Sequence, residues 1–301
     1  ATIWFDYTKL GLLAGLTQGT GMLGAAFGEA AFVHLVHAMS WQGAMALVAG
    51  VLFFIAMLIA LIVTERASQT AANRVESVAN NISEVVLLPL ISVLRTPASW
   101  MNALYAGFLY APTAALGEFW GVTFFHNAYR MTEGMAGFAM SAIFLGWAVG
   151  GPLAGWLSDR YKMRRPFMIL SVVLSFLLLL IVICVPGLSN GVILSLMFCY
   201  GLCNSGVALS YAVAGEIHTL KKTGISIAFT NMVSILIGGA LLQPLLGYIL
   251  DVSWQGKVVH GLRIYSYNAY EHALLILPLC LIIAFVCILF TKESYKRGEL
   301  I

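Results

Sequence analysis

Gly155-Trp156-Leu157-Ser158-Asp159-Arg160-Tyr161-Lys162-Met163-Arg164-Arg165-Pro166 is a short basic turn between two apolar runs. Before it lies the glycine-rich stretch Phe138 to Leu157, and after it the unbroken run Phe167 to Val185. An acid followed by four cations, flanked on both sides by apolar runs about long enough to span a bilayer, reads as a tight loop at a membrane surface. A span needs roughly 20 apolar residues, because the hydrocarbon core is about 30 Å thick and a helix rises about 1.5 Å per residue.

The rest of the chain agrees. Its 301 residues are 60% hydrophobic and 10% charged, with a mean hydropathy of +0.91. A soluble domain of this size has too little interior to hide so much apolar surface. Eight spans are predicted, over 10–38, 42–63, 101–125, 134–157, 167–185, 191–215, 224–250 and 272–291. The fold class is all-α, a polytopic transmembrane helix bundle.

Charge orients it. With Lys9 on the cytoplasmic side, the inner loops also collect Arg66, Arg74, Arg95, Arg160, Lys162, Arg164, Arg165, Lys221, Lys222, Lys292, Lys296 and Arg297. The outer loops keep only Arg130, Lys257 and Arg263 of the 16 cations. Cytoplasmic loops carry the excess of Lys and Arg, so both ends of this stretch are expected inside. The net charge of +3 therefore speaks of lipid, and no basic patch interleaved with aromatics suggests a nucleic acid. The five cysteines (Cys184, Cys199, Cys203, Cys280, Cys287) all fall in spans and argue against a disulfide framework. Cys199 and Cys203 share a helical face but lack further metal ligands nearby.

Span content repeats with a period of three. The first, fourth and seventh spans are glycine-rich, as close-packing membrane helices are. The second, fifth and eighth are nearly featureless Leu, Ile, Val and Phe, suited to lipid. The third and sixth place aromatic and polar side chains mid-span. Consecutive three-helix units suit a transporter built from inverted repeats.

The turn at 155–166 resembles the G-x-x-x-D-[RK]-x-G-[RK]-[RK] loop of the major facilitator superfamily, with Gly155, Asp159, Arg160 and Arg164 on the pattern, Arg165 just past it, Lys162 where the family usually has glycine and Met163 where it often has a cation. The resemblance implies a twelve-helix fold of which these spans are helices five to twelve, with four more helices ahead of Ala1. Residues 1–63 would then be the last two helices of the N-terminal half, 64–97 the cytoplasmic connection, and 98–301 the C-terminal six-helix half. The loop at 155–166 becomes a gating loop in which Asp159 ends its helix and pairs with a cation.

Candidate functional residues follow from depth. Glu118 lies well inside the third span, where an ionised carboxylate is costly unless it faces a cavity or carries a proton. It is the first candidate for proton coupling, and Glu29, with His34 and His37 a turn or two outward, is the second. Tyr110, Thr113, Trp120, Asn204, Ser205 and Tyr211 mix aromatic faces with hydrogen-bonding groups and are the substrate-binding candidates. Gly238-Gly239 and Gln243-Pro244 through Gly247 break helix regularity and are hinge candidates, with Asn231 nearby in the same span. Glu216, His218, Lys221 and Lys222 read as a solvated connection.

No phosphate-binding loop, nucleophile elbow or paired-His metalloprotease motif is present, so neither ATP-driven work nor catalysis is expected and no cofactor or metal is implied. The expected function is proton-coupled secondary transport of a small organic solute by alternating access, in a bacterial inner membrane, by a monomeric complete fold. Thr20 to Gly28 and Phe119-Trp120 resemble uptake systems for amino acids or related nutrients in intracellular γ-proteobacteria. No buried Arg or Lys marks a carboxylate site, which leaves an uncharged solute open. Export of a drug or of a metabolite such as a siderophore, and a non-transporting sensor or scaffold, are the other readings; Gly28-Glu29 in place of a Gly-Pro pair counts against export.

Overall fold

The computed structural model describes residues 9–62, 87–219, 222–256, 258–259, 262–263 and 265–295, with backbone alone at 29–34, 37, 259 and 262. The side chains of Glu29, His34 and His37 and most of the 64–97 connection, with Arg66 and Arg74, lie outside the described residues. Among the described residues, structure is helical apart from one small hairpin, β1 (Val258–Val259) against β2 (Leu262–Arg263).

The chain divides into two units, Ala1–Ala26 with Val93–Ile301, and Phe27–Ser92. The first helix, α1 (Leu10–Ile62), begins in the larger unit, and its part in the smaller unit breaks at Met39 and Ser40, where Ser40 takes φ 73°, ψ 161°. That break is the expected boundary between the first two spans. Beyond it Ala38–Ile62 is apolar all round, and Phe53 and Ile62 are exposed, as a lipid-facing helix should be. A short helix α2 (Leu88–Leu94) follows.

The larger unit is a bundle. Its helices are α3 (Pro97–Ala115), α4 (Gly121–Tyr129), α5 (Glu133–Tyr161), α6 (Arg165–Cys184), α7 (Asn190–Asn204) and α8 (Val207–Ile217). They continue with α9 (Thr223–Ile235), α10 (Gln243–Val252), α11 (Tyr267–Leu274) and α12 (Ile276–Phe290). Among the described residues, seven helices are long and apolar enough to cross a membrane. The third predicted span differs. It is one continuous run in which the π-helical turn Leu116–Trp120 joins α3 to α4, and its polar inner positions keep it from reading as simply apolar. A second π segment, Leu236–Leu242, joins α9 to α10.

Glycines set the spacing of α5 on two faces. Side chains at Gly146 and Gly150 would strike the α7 backbone at Phe198 and Leu202, and one at Gly201 would strike Ile143 of α5. On another face of α5, Gly151 and Gly155 meet Gly15 and Gly11 at the start of α1. Lipid gives helices no hydrophobic reason to associate, so backbone approach and buried hydrogen bonds carry the packing. Asn102 Nδ2 donates to Ser210 O at 2.9 Å, Tyr105 Oη to Met168 O at 3.1 Å, and Ser171 Oγ to Cys203 O at 2.6 Å.

Gly201→Ala is expected to lower stability by about 1–3 kcal/mol, since the methyl meets backbone that cannot rotate away. Gly191→Ala, with open space at that position, should be neutral or slightly stabilising. Thermal unfolding of the two variants in detergent checks the pair.

Candidate functional site

Two polar assemblies stand out. The first gathers at one end of the bundle, on the turn between α5 and α6. Lys162 caps α5 in the left-handed conformation at φ 56°, ψ 42°, which explains why a glycine suits this position. The turn brings Arg164 back beneath Asp159. Arg164 is only 1% exposed, and its Nη1 meets Asp159 Oδ1 at 2.6 Å while its Nη2 meets Glu216 Oε1 at 2.8 Å. Asp159 also accepts the backbone N–H of Gly11 at 3.2 Å and of Leu12 at 2.8 Å. Its charge thus sits against the positive end of α1 and satisfies donors that the first helical turn leaves open. Two carboxylates and one guanidinium thereby tie α1, α5 and α8 together.

The segment after α12 completes the assembly. Glu293 accepts from Arg164 N at 2.8 Å and Arg165 N at 3.0 Å, capping α6, and Ser294 Oγ donates to Glu216 Oε2 at 2.6 Å. The Arg164 Cζ lies 4.9 Å from the Tyr295 ring centroid. Arg165 reaches Leu289 O at 2.9 Å, and Arg160 is exposed. Burial alone would lower the Arg164 pKa. The charges and hydrogen bonds of Glu216 and Asp159 outweigh that and hold it above its ordinary value. Glu216 is a correction to the sequence reading. It is 6% exposed and paired with Arg164, not part of a solvated connection. A carboxylate directly after the last residue of the predicted span 191–215, on the side where the cations gather, was the available signal.

The second assembly is a cavity. A space of about 420 Å³ has Thr17, Gln18, Tyr211 and Asn231 among its otherwise mostly apolar walls on α1, α8 and α9. A smaller space of about 130 Å³ adjoins it, sharing Gln18, Tyr211 and Asn231 and adding Tyr110, Trp147 and Ser234. Tyr211 Oη donates to Asn231 Oδ1 at 3.0 Å. Trp147 is 1% exposed, and its indole Nε1 has no hydrogen-bond partner among the described residues.

From this cavity a hydrogen bond leads along the α3–α4 run, for the Tyr110 hydroxyl donates to Glu118 Oε1. Eight residues of α-helix turn through about 800°, leaving the second side chain about 80° off the first one's face. The π turn Leu116–Trp120 absorbs an extra residue, and so brings Glu118 back toward the Tyr110 face. Pro112, two residues beyond Tyr110, lacks the N–H that would hold the preceding turn closed.

The six expected substrate residues are not brought together. Tyr110 and Tyr211 line the cavity. Thr113, Asn204 and Ser205 are fully buried between helices. Thr113 Oγ1 donates to Asn204 Oδ1 at 2.9 Å, Asn204 Nδ2 to Leu109 O at 2.9 Å, and Ser205 Oγ to Leu202 O at 2.7 Å. Trp120 packs near Gly247, where an added side chain would lie 3.4 Å from its ring. The hinge candidates also part. Gly238 is pressed against Ala111 and Ala114 of α3, Gly239 faces open space, and Pro244 sits in the first turn of α10. Sequence reasoning missed Gln18 and Trp147, because an amide and an indole in glycine-rich helices look like packing residues.

Lys162→Gly should raise stability by roughly 0.5–1 kcal/mol, the left-handed penalty less the freedom glycine gains when unfolded. Asp159→Asn and Glu216→Gln should each cost about 1–3 kcal/mol. The double variant should cost more than their sum, because it alone strips Arg164 of both counter-charges. Thermal unfolding of the four proteins measures all of this, and strict additivity would mean that the two carboxylates do not share the guanidinium.

A family model described as Major Facilitator Superfamily matches residues 2–242 and, in a second overlapping match, 119–299. No curated protein matches the chain.

Proposed function

The chain belongs to the major facilitator superfamily, and from that premise we propose that it moves a small organic solute across the cell inner membrane by alternating access, coupled to protons at Glu118. The observation that supports this reading is the polar cavity whose lining runs through Tyr110 to the Glu118 carboxylate.

Tyr110 is the link. Its single hydroxyl proton is committed to Glu118 while that carboxylate is ionised, so it offers the cavity only an acceptor. Once Glu118 takes up a proton, its own O–H donates and the Tyr110 O–H is released toward a solute. Solute affinity then depends on the protonation of Glu118, which is the thermodynamic requirement for cotransport. Protonation favours the solute-bound form and the solute favours the protonated one, by the same factor.

The Arg164 assembly acts as the gate. It joins α1, α5 and α8 at the end that carries Arg160, Lys162, Arg164, Arg165 and Lys292, whereas Arg130 and Arg263 mark the other end. By the charge rule the first end is cytoplasmic. Ion pairs between helices are discrete contacts that are either made or broken, and such contacts make a rocking motion two-state. The intact network favours the conformation closed to the cytoplasm. Glu29 is a second proton site in this reading. Gly238, Gly239, Pro244 and Gly247 belong to the element that flexes around the π segment, and the working unit is a monomer. An amino-acid solute, the class implied by the sequence, requires a cation against its carboxylate. No arginine or lysine lines either cavity among the described residues.

The purified protein in liposomes loaded with a pH-sensitive dye tests the coupling. With the membrane potential clamped, a panel of L-amino acids, sugars and nucleosides is added outside, and the wild type should acidify the lumen with one of them. Glu118→Gln should abolish that proton flux and keep solute exchange, because Gln can donate to Tyr110 as the protonated acid does. Tyr110→Phe should reduce the flux at least about tenfold. Undiminished solute-driven acidification in Glu118→Gln would sink the assignment.

A further inference from the structure

We infer that the inner cavity takes an uncharged solute bearing vicinal hydroxyls on a ring, a free sugar or the ribose of a nucleoside, with the Trp147 indole N–H as a donor to it. The inference rests on the transporter reading of the same cavity and goes beyond it by naming the solute's chemistry.

An indole N–H is a donor only, and a buried one ordinarily finds an acceptor. Trp147 is 1% exposed, forms part of the cavity wall, and has no acceptor for Nε1 among the described residues. Leaving such a donor unpaired in a low-dielectric site is costly. The Tyr110 ring stands edge-on to it, with centroids 6.1 Å apart at 76°. A solute oxygen in the cavity would supply the missing acceptor.

The other groups narrow what carries that oxygen. Gln18 and Asn231 are amides, and each presents a donor and an acceptor side by side. Asn231 Oδ1 already accepts from Tyr211, which uses one of that oxygen's two lone pairs and leaves the other, with the NH₂, to offer. Ser234 Oγ donates to Thr230 O at 2.9 Å, so toward the cavity it offers lone pairs. The polar part of the lining is therefore a set of neutral donors and acceptors. Adjacent hydroxyls, each both donor and acceptor, match such a set. A free carboxylate would need an ionic partner, and the described lining has no cation to give it. The apolar walls of the larger space, Leu13, Ala14, Ile227 and Ala228 among them, suit the C–H faces of a ring.

Thermal stabilisation of the purified protein in detergent reads binding without requiring transport or protons. The probes are D-glucose, D-ribose, uridine, 2′-deoxyuridine and L-leucine. Uridine, or one of the two sugars, is expected to raise the melting temperature in a saturable way, and L-leucine is not. Stabilisation by the sugars alone identifies a free sugar as the source, and by uridine alone a nucleoside. In the uridine case 2′-deoxyuridine should bind at least tenfold more weakly. Trp147→Phe should weaken the binding at least tenfold, and the exposed Asn231→Ala, which leaves the core intact, should do the same if Trp147→Phe fails to fold. Saturable binding of L-leucine alone, equal binding of the deoxy compound, no binding by any neutral probe, or binding indifferent to both variants would each overturn the inference. Leucine binding with leucine-driven proton flux would leave the transporter reading standing without it. Uridine or sugar binding with no proton flux would remove the coupling and keep the solute class.

Discussion

Helices in a bilayer gain nothing by hiding apolar surface from one another, because lipid is as apolar as leucine. Everything in the larger unit follows from how the chain meets that constraint. It removes side chains where backbones must touch, at Gly146, Gly150 and Gly201 between α5 and α7 and at Gly11, Gly15, Gly151 and Gly155 between α1 and α5. It then spends its few buried polar groups on bonds between helices. Asn102, Tyr105, Thr113, Ser171 and Asn204 each bridge to another element. Because α5 carries glycine on two faces, it can lie close to α1 and α7 at once.

The same constraint makes Arg164 informative. A guanidinium 1% exposed is expensive unless charge surrounds it, and here two carboxylates, a serine and a tyrosine ring do so. Nothing about packing requires a charge there; an apolar side chain would fill the space at less cost in desolvation. What the ion pairs add is a connection between α1, α5 and α8 that is strong when made and has no weaker intermediate form. In a protein whose helices are otherwise held by close contact, it is the ionic link that joins these three helices at this end of the larger unit.

Much of this was legible in the sequence. Periodic apolar runs gave the spans to within a few residues, because span length is set by bilayer thickness and not by subtle propensity. The spacing of the turn at 155–166 gave Asp159 its helix-end position and its cation. What the sequence could not resolve has a common cause. Thr113, Asn204 and Ser205 look like substrate residues, since polarity in a span signals either a cavity or a bond between helices, and only the three-dimensional facing tells which. Glu216 was lost in the other direction. Beside His218 and Lys222 it resembles any loop acid, and only the fold carries Arg164 to it.

The π turns lay furthest beyond reach. Pro112 and Gly238-Gly239 signal irregularity, yet a single proline or glycine pair is as compatible with a simple kink as with an inserted residue. The difference matters because an insertion rotates everything beyond it. Without the extra residue Glu118 would turn about 80° away from Tyr110, and an acid at that depth would lose its hydrogen-bond donor and its route to the cavity. The hydrogen bond between Tyr110 and Glu118 thus hangs on a local departure from α-helical register. Such a departure inside a membrane needs neighbouring protein against it, and Gly238 and Gln243 supply it against the end of α3.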